Sequence, residues 1–231
     1  MRASARFGIR ILCYRLAGST TRGVAMFEVR SAQPGDVDGA VAALGDAFDQ
    51  DALMSYFFGG SPNGVRAGTT EFFSILLRAR IALDMPAYVL RSADGVPGTV
   101  MGYDTSRPAW PAALAMEWRQ FEADVPGLAA RFEAYEKICG AYRPDEDHYY
   151  LGVIGVHPSL QGKGAGKTLL DAFCALSQAD PQSRGVYLET SNPASLQFYR
   201  NNGFELRGEG SLDAVSEDPR VIEVYLGTEA V

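Results

Sequence analysis

The sequence of 231 residues predicts a mixed α+β fold in which helices flank a central sheet, and two observations predict it. Short apolar segments typical of strands alternate with segments whose apolar residues recur at helical spacing. In addition, residues 149–170 run from a β-branched strand through a glycine-rich turn into a helix. With 47% hydrophobic residues the chain is long enough for one substantial core, so we expect a single domain over residues 26–231.

The predicted elements follow one another without an internal repeat or a low-complexity linker. The first half contains a strand at 27–30, a helix at 37–48, an aromatic loop at 49–58, a helix at 65–83, strands at 88–90 and 96–103, and a helical pair at 110–142. The second half contains a strand at 149–156, a helix from 164, a strand at 186–190, a helix from 193, and hairpin strands at 204–207 and 221–226. Asp94-Gly95 is a strong hairpin signal between the second and third strands.

Residues 1–25 differ from the rest of the chain because they contain five arginines and no acidic residue. The apolar runs between these arginines are too short for a signal sequence or a membrane span. Met26 stands directly before the first predicted strand and offers a second start of translation. We therefore expect residues 1–25 to be an extension that is disordered or not translated.

Composition excludes several classes of partner. A net charge of −7 and a pI near 4.9 disfavour nucleic acids and anionic membranes, whereas a basic amine suits an acidic surface. Three scattered cysteines, at positions 13, 139 and 174, suit a reducing cytoplasm. With two histidines and no spaced Cys/His cluster, we expect no metal. The expected protein is cytoplasmic and is a monomer or a homodimer.

The glycine-rich turn predicts a phosphate site, because backbone N–H groups can converge on an anion at the start of the following helix. The tail of the turn imitates a P-loop, but a P-loop needs glycine at position 161, where the chain has Gln161. A dinucleotide fingerprint starts at Gly162 and Gly164 but meets Lys167 at the position of its third glycine. Neither nucleotide pattern fits.

Two motifs resemble the GCN5-related N-acetyltransferase (GNAT) superfamily. The turn Gln161-x-x-Gly164-x-Gly166, preceded by Val156-x-Pro158, is similar to the coenzyme A signature of that family. Downstream, Asn192 stands seven residues before Tyr199, on a predicted helix that ends at Gly203-Phe204, and this is similar to the second family signature. The first motif also resembles the branch that contains puromycin-type small-molecule acetyltransferases.

The resemblance implies a fold and a coenzyme. It implies a mostly antiparallel, twisted sheet of six to seven strands, splayed between strands four and five, with the helices of 110–142 as an insertion near the acceptor pocket. It also implies acetyl-CoA as co-substrate, with the pantetheine arm beside the fourth strand and the pyrophosphate in the turn. The residues that would bind acetyl-CoA are Ile154, Val156, Gln161, Gly162, Lys163, Gly164, Gly166, Lys167, Asn192 and Tyr199.

Direct transfer of the acetyl group requires a base for the amine and an acid for the leaving thiolate. Tyr199 aligns with the family tyrosine that protonates the thiolate, and its phenol has a suitable pKa. Two residues are candidates for the base. Strand alternation places His148 on one face with Tyr150, Gly152 and Ile154, the face expected to look into the cleft, and Glu189 ends the fifth predicted strand.

The sequence therefore predicts an acetyl-CoA-dependent N-acetyltransferase that acts directly on a primary amine of a small molecule. Two alternatives stay open at this level: acetylation of a peptide or protein amine, and a non-catalytic module that binds acyl-CoA.

Overall fold

A computed structural model describes residues 8–15, 27–93 and 95–212. They form a seven-stranded sheet in the order β2-β3-β4-β5-β6-β1-β7. The strands are β1 (Gly8–Arg15), β2 (Glu28–Ser31), β3 (Ala87–Ser92), β4 (Gly95–Tyr103), β5 (Tyr149–Val156), β6 (Gly185–Thr190) and β7 (Glu205–Ser211). Every neighbouring pair is antiparallel except β5 and β6, which are parallel. The prediction of a mostly antiparallel mixed fold is confirmed.

Helices cover both faces of the sheet. They are α1 (Val37–Ala47), α2 (Ala52–Phe58), α3 (Val65–Ala82), α4 (Ala112–Asp124), α5 (Leu128–Gly140), α6 (Ala165–Ala179) and α7 (Pro193–Asn201). Helices α1 to α5 pack on one face around an aromatic core, and α6 and α7 pack on the other. None of the described helices is long and apolar enough to cross a membrane.

The predicted insertion lies between β4 and β5 as the two helices α4 and α5. Gly127 separates them with φ 71°, a left-handed conformation that favours glycine. Phe121 and Leu128, one from each helix, are buried in the aromatic core under α2 and α3. The insertion is thus part of the main core, and it closes the face of the sheet opposite α6.

One segment predicted as a loop is a helix. The Asp51 carboxylate accepts hydrogen bonds from the backbone N–H groups of Leu53 and Met54, at 2.9 and 3.0 Å, and so caps the start of α2. The aromatic side chains of α2 pack against α5 and α3. Tertiary packing stabilises this short helix, since its seven residues are too few to form a stable helix alone.

The expectation that residues 1–25 form a disordered extension is wrong for Gly8–Arg15. This segment is β1, paired with β6 on one side and β7 on the other. Ile9, Ile11 and Leu12 are fully buried because the strand lies inside the sheet with helices on both faces. The neighbouring Arg10 ends at the surface, where its side chain forms an ion pair with Glu209 at 3.0 Å.

The predicted closing hairpin is confirmed in its first strand alone. The segment 204–207 contributes to β7, whereas its expected partner, 221–226, lies outside the described residues. Among the described strands, β7 has β1 as its neighbour. The sequence pattern identified β7 correctly, its pairing with 221–226 stays a prediction, and β1 is a neighbour of β7 that the pattern did not predict.

Candidate functional site

The sheet opens between β5 and β6. These strands pair at Tyr149 with Val186 and at Tyr150 with Tyr187, and the described pairing stops there. Residues 151–156 of β5 then pair with β4 alone, so one edge of this strand is free. A free strand edge offers N–H and C=O groups to an extended ligand. The backbone at Ile154 and Val156, predicted to bind the pantetheine arm, belongs to this free edge.

A β-bulge changes the orientation of side chains along β5. Gly152 has no partner in β4, which is the pattern of a bulge. Beyond it the side chains exchange faces, so that Ile154 packs in the core beneath α6 while Tyr150 packs on the opposite face. The expectation that Ile154 shares the cleft face with His148 and Tyr150 is therefore wrong.

The glycine-rich turn lies between β5 and α6. Gly162 and Gly164 have φ of 72° and 85°, conformations that L side chains rarely adopt. A Cβ atom built on either glycine meets nothing within 4 Å, so the turn faces open space. The backbone N–H groups of residues 165–167 are in the first turn of α6, where no intrahelical acceptor exists. These features together suit the pyrophosphate of a coenzyme.

The polar side chains of the turn have their own partners. Gln161 Nε2 donates to the Val156 carbonyl oxygen at 3.4 Å, which ties the turn to the end of β5. Lys167 Nζ pairs with Asp171 at 2.6 Å on the surface of α6. Lys163 is exposed. The turn would accordingly hold an anion mainly through backbone groups.

Replacement of Gly164 by alanine tests the turn. A left-handed conformation costs an L residue about 1–2 kcal/mol, and relaxation of the free turn would move its N–H groups away from the ligand. We expect the Kd for acetyl-CoA, measured by calorimetry, to rise about tenfold, which corresponds to a loss of about 1.4 kcal/mol of binding free energy.

Gly64→Ala is the matched control for this experiment. Gly64 also has φ 85° and no atom within 4 Å of a built Cβ, but it caps α3. We expect a similar loss of stability and an unchanged Kd for acetyl-CoA. An equal effect of both substitutions on Kd would rule out a specific role of the turn.

Helix α7 carries the second motif. The Asn192 side chain caps this helix by accepting a hydrogen bond from the Ala194 N–H at 2.8 Å. Tyr199 is 5% exposed and packs between Phe198 and Phe204, in the same core as Ile154. Burial, with a smaller contribution from Cys174, raises the pKa of the Tyr199 phenol, which is therefore protonated at neutral pH.

Glu189 lies on the other face of the sheet, where β5 and β6 separate. Because Tyr150 pairs with Tyr187, Glu189 follows two residues later on the same face and lies across the gap from Gly152. Burial raises the pKa of the Glu189 carboxyl to about 7, while the hydroxyls of Tyr187 and Tyr150 lower it. A carboxyl with this pKa can take a proton at neutral pH.

His148 lies far from Ile154, at the other end of β5. Its Nδ1 lies 2.7 Å from the Glu146 carbonyl oxygen, and its ring packs on Tyr187. Burial lowers the pKa of the imidazole, which is neutral at pH 7. Six strand residues at about 3.3 Å each separate His148 from Ile154 by roughly 20 Å. The structure thus brings Glu189, and not His148, to the gap.

The sequence analysis missed a buried arginine near Tyr150. Arg80, at the end of α3, is 5% exposed and stacks 3.7 Å above the Tyr103 ring, which Arg107 approaches at 5.2 Å. Arg80 Nε and Nη1 have no hydrogen-bond partner among the described residues. Tyr103 pairs with Tyr150 in the sheet, so this stack adjoins the face that carries Glu189. No local pattern reveals it, because its members come from distant segments.

An open parallel strand pair, a glycine-rich turn and a helix with a buried tyrosine define a coenzyme A-dependent acyltransferase. The family model described as "Acetyltransferase (GNAT) domain" matches residues 128–206, which include β5, the turn, α6, β6 and α7. This match assigns residues 128–206 to the GNAT acetyltransferase domain, a class of enzyme that uses acetyl-CoA as the acetyl donor. A second model, described as "Branched-chain amino acid ATP-binding cassette transporter", matches residues 208–231 alone.

Solved structures share the fold. An acetyltransferase from Corynebacterium glutamicum, described as histone acetyltransferase HPA2 and related acetyltransferase, has a TM-score of 0.55 at 20% identity over 77% of this chain and 83% of its own. A mosquito arylalkylamine N-acetyltransferase-like protein 5b has a TM-score of 0.53 at 17% identity, over 78% and 83%. The polyamine N-acetyltransferase of Drosophila melanogaster has a TM-score of 0.51 at 19% identity, over 77% and 82%.

Proposed function

We propose that the protein transfers the acetyl group of acetyl-CoA directly to a primary amine of a small molecule. The observation that carries this proposal is the position of Glu189 and Tyr199 on opposite faces of the open sheet. An acceptor on the α5 face of the sheet would meet the Glu189 carboxylate. A coenzyme along the free edge of β5 would have the Tyr199 phenol on the opposite face, under α6. This arrangement supplies a base and an acid without a covalent intermediate on the enzyme.

Glu189 is the proposed base. A primary amine attacks the thioester carbonyl carbon through its lone pair, so a proton must leave the nitrogen as the C–N bond forms. The Glu189 carboxylate, with a pKa of about 7, takes that proton, and the hydroxyls of Tyr187 and Tyr150 stabilise its charged form. His148, roughly 20 Å from Ile154 along the strand, is too far away to serve even through one water.

Tyr199 is the proposed acid. As the bond between the carbonyl carbon and sulfur breaks, the thiolate takes the phenolic proton. The raised pKa of Tyr199 means that the phenol is protonated at neutral pH and so carries a proton to donate.

Tyr199→Phe keeps the ring and removes the proton. We expect kcat to fall about a hundredfold or more, with little change in the Kd for acetyl-CoA. Tyr149→Phe is the control, because Tyr149 lies in the same core but at the opposite end of β5. A kcat for Tyr199→Phe within about a factor of two of the parent would contradict the acid role, since general acid catalysis is typically worth ~10²-fold or more.

The enclosure of the α5 face supports a small acceptor. Helices α2 and α5 meet over this face, where Phe57 packs edge-on against Tyr135 with ring centroids 5.4 Å apart. A peptide substrate would need an open groove here. Two of the structural neighbours are named for small amines, arylalkylamines and polyamines, and such acceptors suit an acidic and aromatic surface.

A free-thiol release assay tests the proposal. Acetyl-CoA is offered with aminonucleosides, polyamines, amino acids and short peptides, and we expect thiol release with at least one small amine. Release with peptides alone would indicate a peptide or protein acetyltransferase. Binding of acetyl-CoA without release across the panel would indicate a non-catalytic module.

A further inference from the structure

A second cavity lies at the amino-terminal ends of β5 and β6. Its volume is about 400 Å³, within the range of small-molecule sites. Its lining includes Tyr14, Pro144, His148, Arg184, Tyr187 and Arg207. β5 runs away from this cavity and reaches the glycine-rich turn after Val156, so the two sites occupy opposite ends of the sheet.

The cavity carries positive charge on a protein whose net charge is −7. Arg184 and Arg207 are exposed and have no hydrogen-bond or ion-pair partner for their guanidinium groups among the described residues. Glu146 is the acidic residue of the lining, and its carbonyl oxygen contacts His148.

Further cations surround His148. Arg107 Nη2 donates to the His148 carbonyl oxygen at 3.4 Å, and Arg143 pairs with Glu136 at 2.9 Å. His148 Nε2 has no hydrogen-bond partner among the described residues and is out of reach of solvent. Two guanidinium groups at one cavity, both without a partner among the described residues, are arranged to receive an anion.

We propose that this cavity binds a small molecule that carries a carboxylate or phosphate group. The guanidinium groups of Arg184 and Arg207 bind the anionic group, and the apolar part of the molecule packs on Tyr14 and Pro144. The site is separate from acetyl transfer, so its test does not depend on turnover or on the identity of the acceptor.

The two histidines of the chain provide the measurement, since each gives one imidazole NMR signal. The protein is titrated with phenyl phosphate and, separately, with benzoate. We expect a saturable shift of the His148 signal with at least one probe. A shift of the His157 signal alone would place the probe at the coenzyme turn, beside which His157 lies, and would contradict the proposal. Which probe binds more tightly distinguishes a phosphate site from a carboxylate site.

Substitutions at the exposed arginines test the assignment. Arg184→Gln with Arg207→Gln should raise the Kd of the probe at least tenfold and leave the Kd for acetyl-CoA unchanged. Arg66→Gln, which removes a surface arginine that pairs with Asp46 outside the lining, should leave the Kd of the probe unchanged. Thermal unfolding verifies that each variant is folded. If the double variant does not fold, Arg207→Lys replaces it, and this variant should retain binding of the probe.

Three results would overturn the proposal. The first is an unchanged His148 signal at millimolar probe. The second is a probe Kd that the arginine substitutions do not alter. The third is an equal shift of the His148 signal with benzyl alcohol, which has the same ring and no charge.

Discussion

Deletion of residues 1–25, so that the chain starts at Met26, is expected to abolish stable folding. The deletion removes β1 from its place between β6 and β7. Ile9, Ile11 and Leu12 are fully buried, and burial of each such side chain is worth about 1.5–3 kcal/mol. Their sum approaches the whole stability of a typical domain, roughly 5–15 kcal/mol. The deletion also exposes the edges of β6 and β7, so we expect aggregation.

Soluble yield and urea unfolding measure this effect. Deletion of residues 1–7 is the control, because it keeps β1 and should leave the free energy of unfolding nearly unchanged. Ile11→Ala should destabilise the full-length protein by about 2–5 kcal/mol. If the chain that starts at Met26 unfolds at the same urea concentration as the full-length protein, β1 is dispensable, and residues 221–226 again become the predicted partner of β7.

Glu189→Gln is expected to lower kcat/KM by about 10²–10⁴-fold at pH 8, the usual contribution of a general base. The carboxylate is the active form, so activity of the parent should rise with pH and level off above the pKa of about 7. This rising limb of the pH profile should disappear in the variant, because the amide of glutamine does not titrate. Initial rates of thiol release from pH 5.5 to 9 measure both effects.

A companion variant tests whether the pH limb belongs to Glu189. The groups that set its pKa, besides burial, are Tyr187 and Tyr150, which lower it, Glu136, which raises it, and Arg143, which lowers it. Tyr150→Phe removes one hydroxyl and should move the limb to higher pH. A limb that stays in Glu189→Gln and vanishes in His148→Gln would identify His148 as the base instead.

Stability measurements separate catalysis from folding in the Glu189 variant. The folded-state pKa of Glu189 is raised from 4.5 to about 7. Protonated Glu189 therefore favours the folded state, a contribution that is complete below the unfolded-state pKa and is lost as pH rises through about 7. Glutamine at position 189 is neutral at every pH, so the variant does not lose this stabilising contribution as the pH rises. We expect Glu189→Gln to be at least as stable as the parent at pH 8 while it is far less active.

The turn and the helix cap of the proposed coenzyme site could be predicted because their determinants are local. Gly162 and Gly164 adopt left-handed conformations that few other residues tolerate, so their spacing reveals the turn directly. Asn192 caps α7 through an adjacent N–H group, and this signal is also contained in a few consecutive residues. The helical pair of the insertion was equally visible, because each helix has its own apolar stripe and Gly127 separates them.

The acceptor side could not be predicted in the same way. The bulge at Gly152 depends on the pairing of β5 with β4, so simple alternation placed Ile154 on the wrong face. The stack of Arg80 on Tyr103 joins the end of a helix to the end of a strand. Glu189 was a candidate by position, but its raised pKa arises from burial beside tyrosines of two strands.

Sequence alone determined the class of fold, the coenzyme turn and the tyrosine of α7, because glycine conformation, capping and apolar periodicity act between residues close in the chain. The tertiary structure decided that β1 lies beside β7, which face Ile154 occupies and which residues lie at the gap between β5 and β6. Those properties depend on strand pairing and burial between distant segments. Burial also changes the chemistry of a group, since it gives the Glu189 carboxyl a pKa of about 7 instead of 4.5.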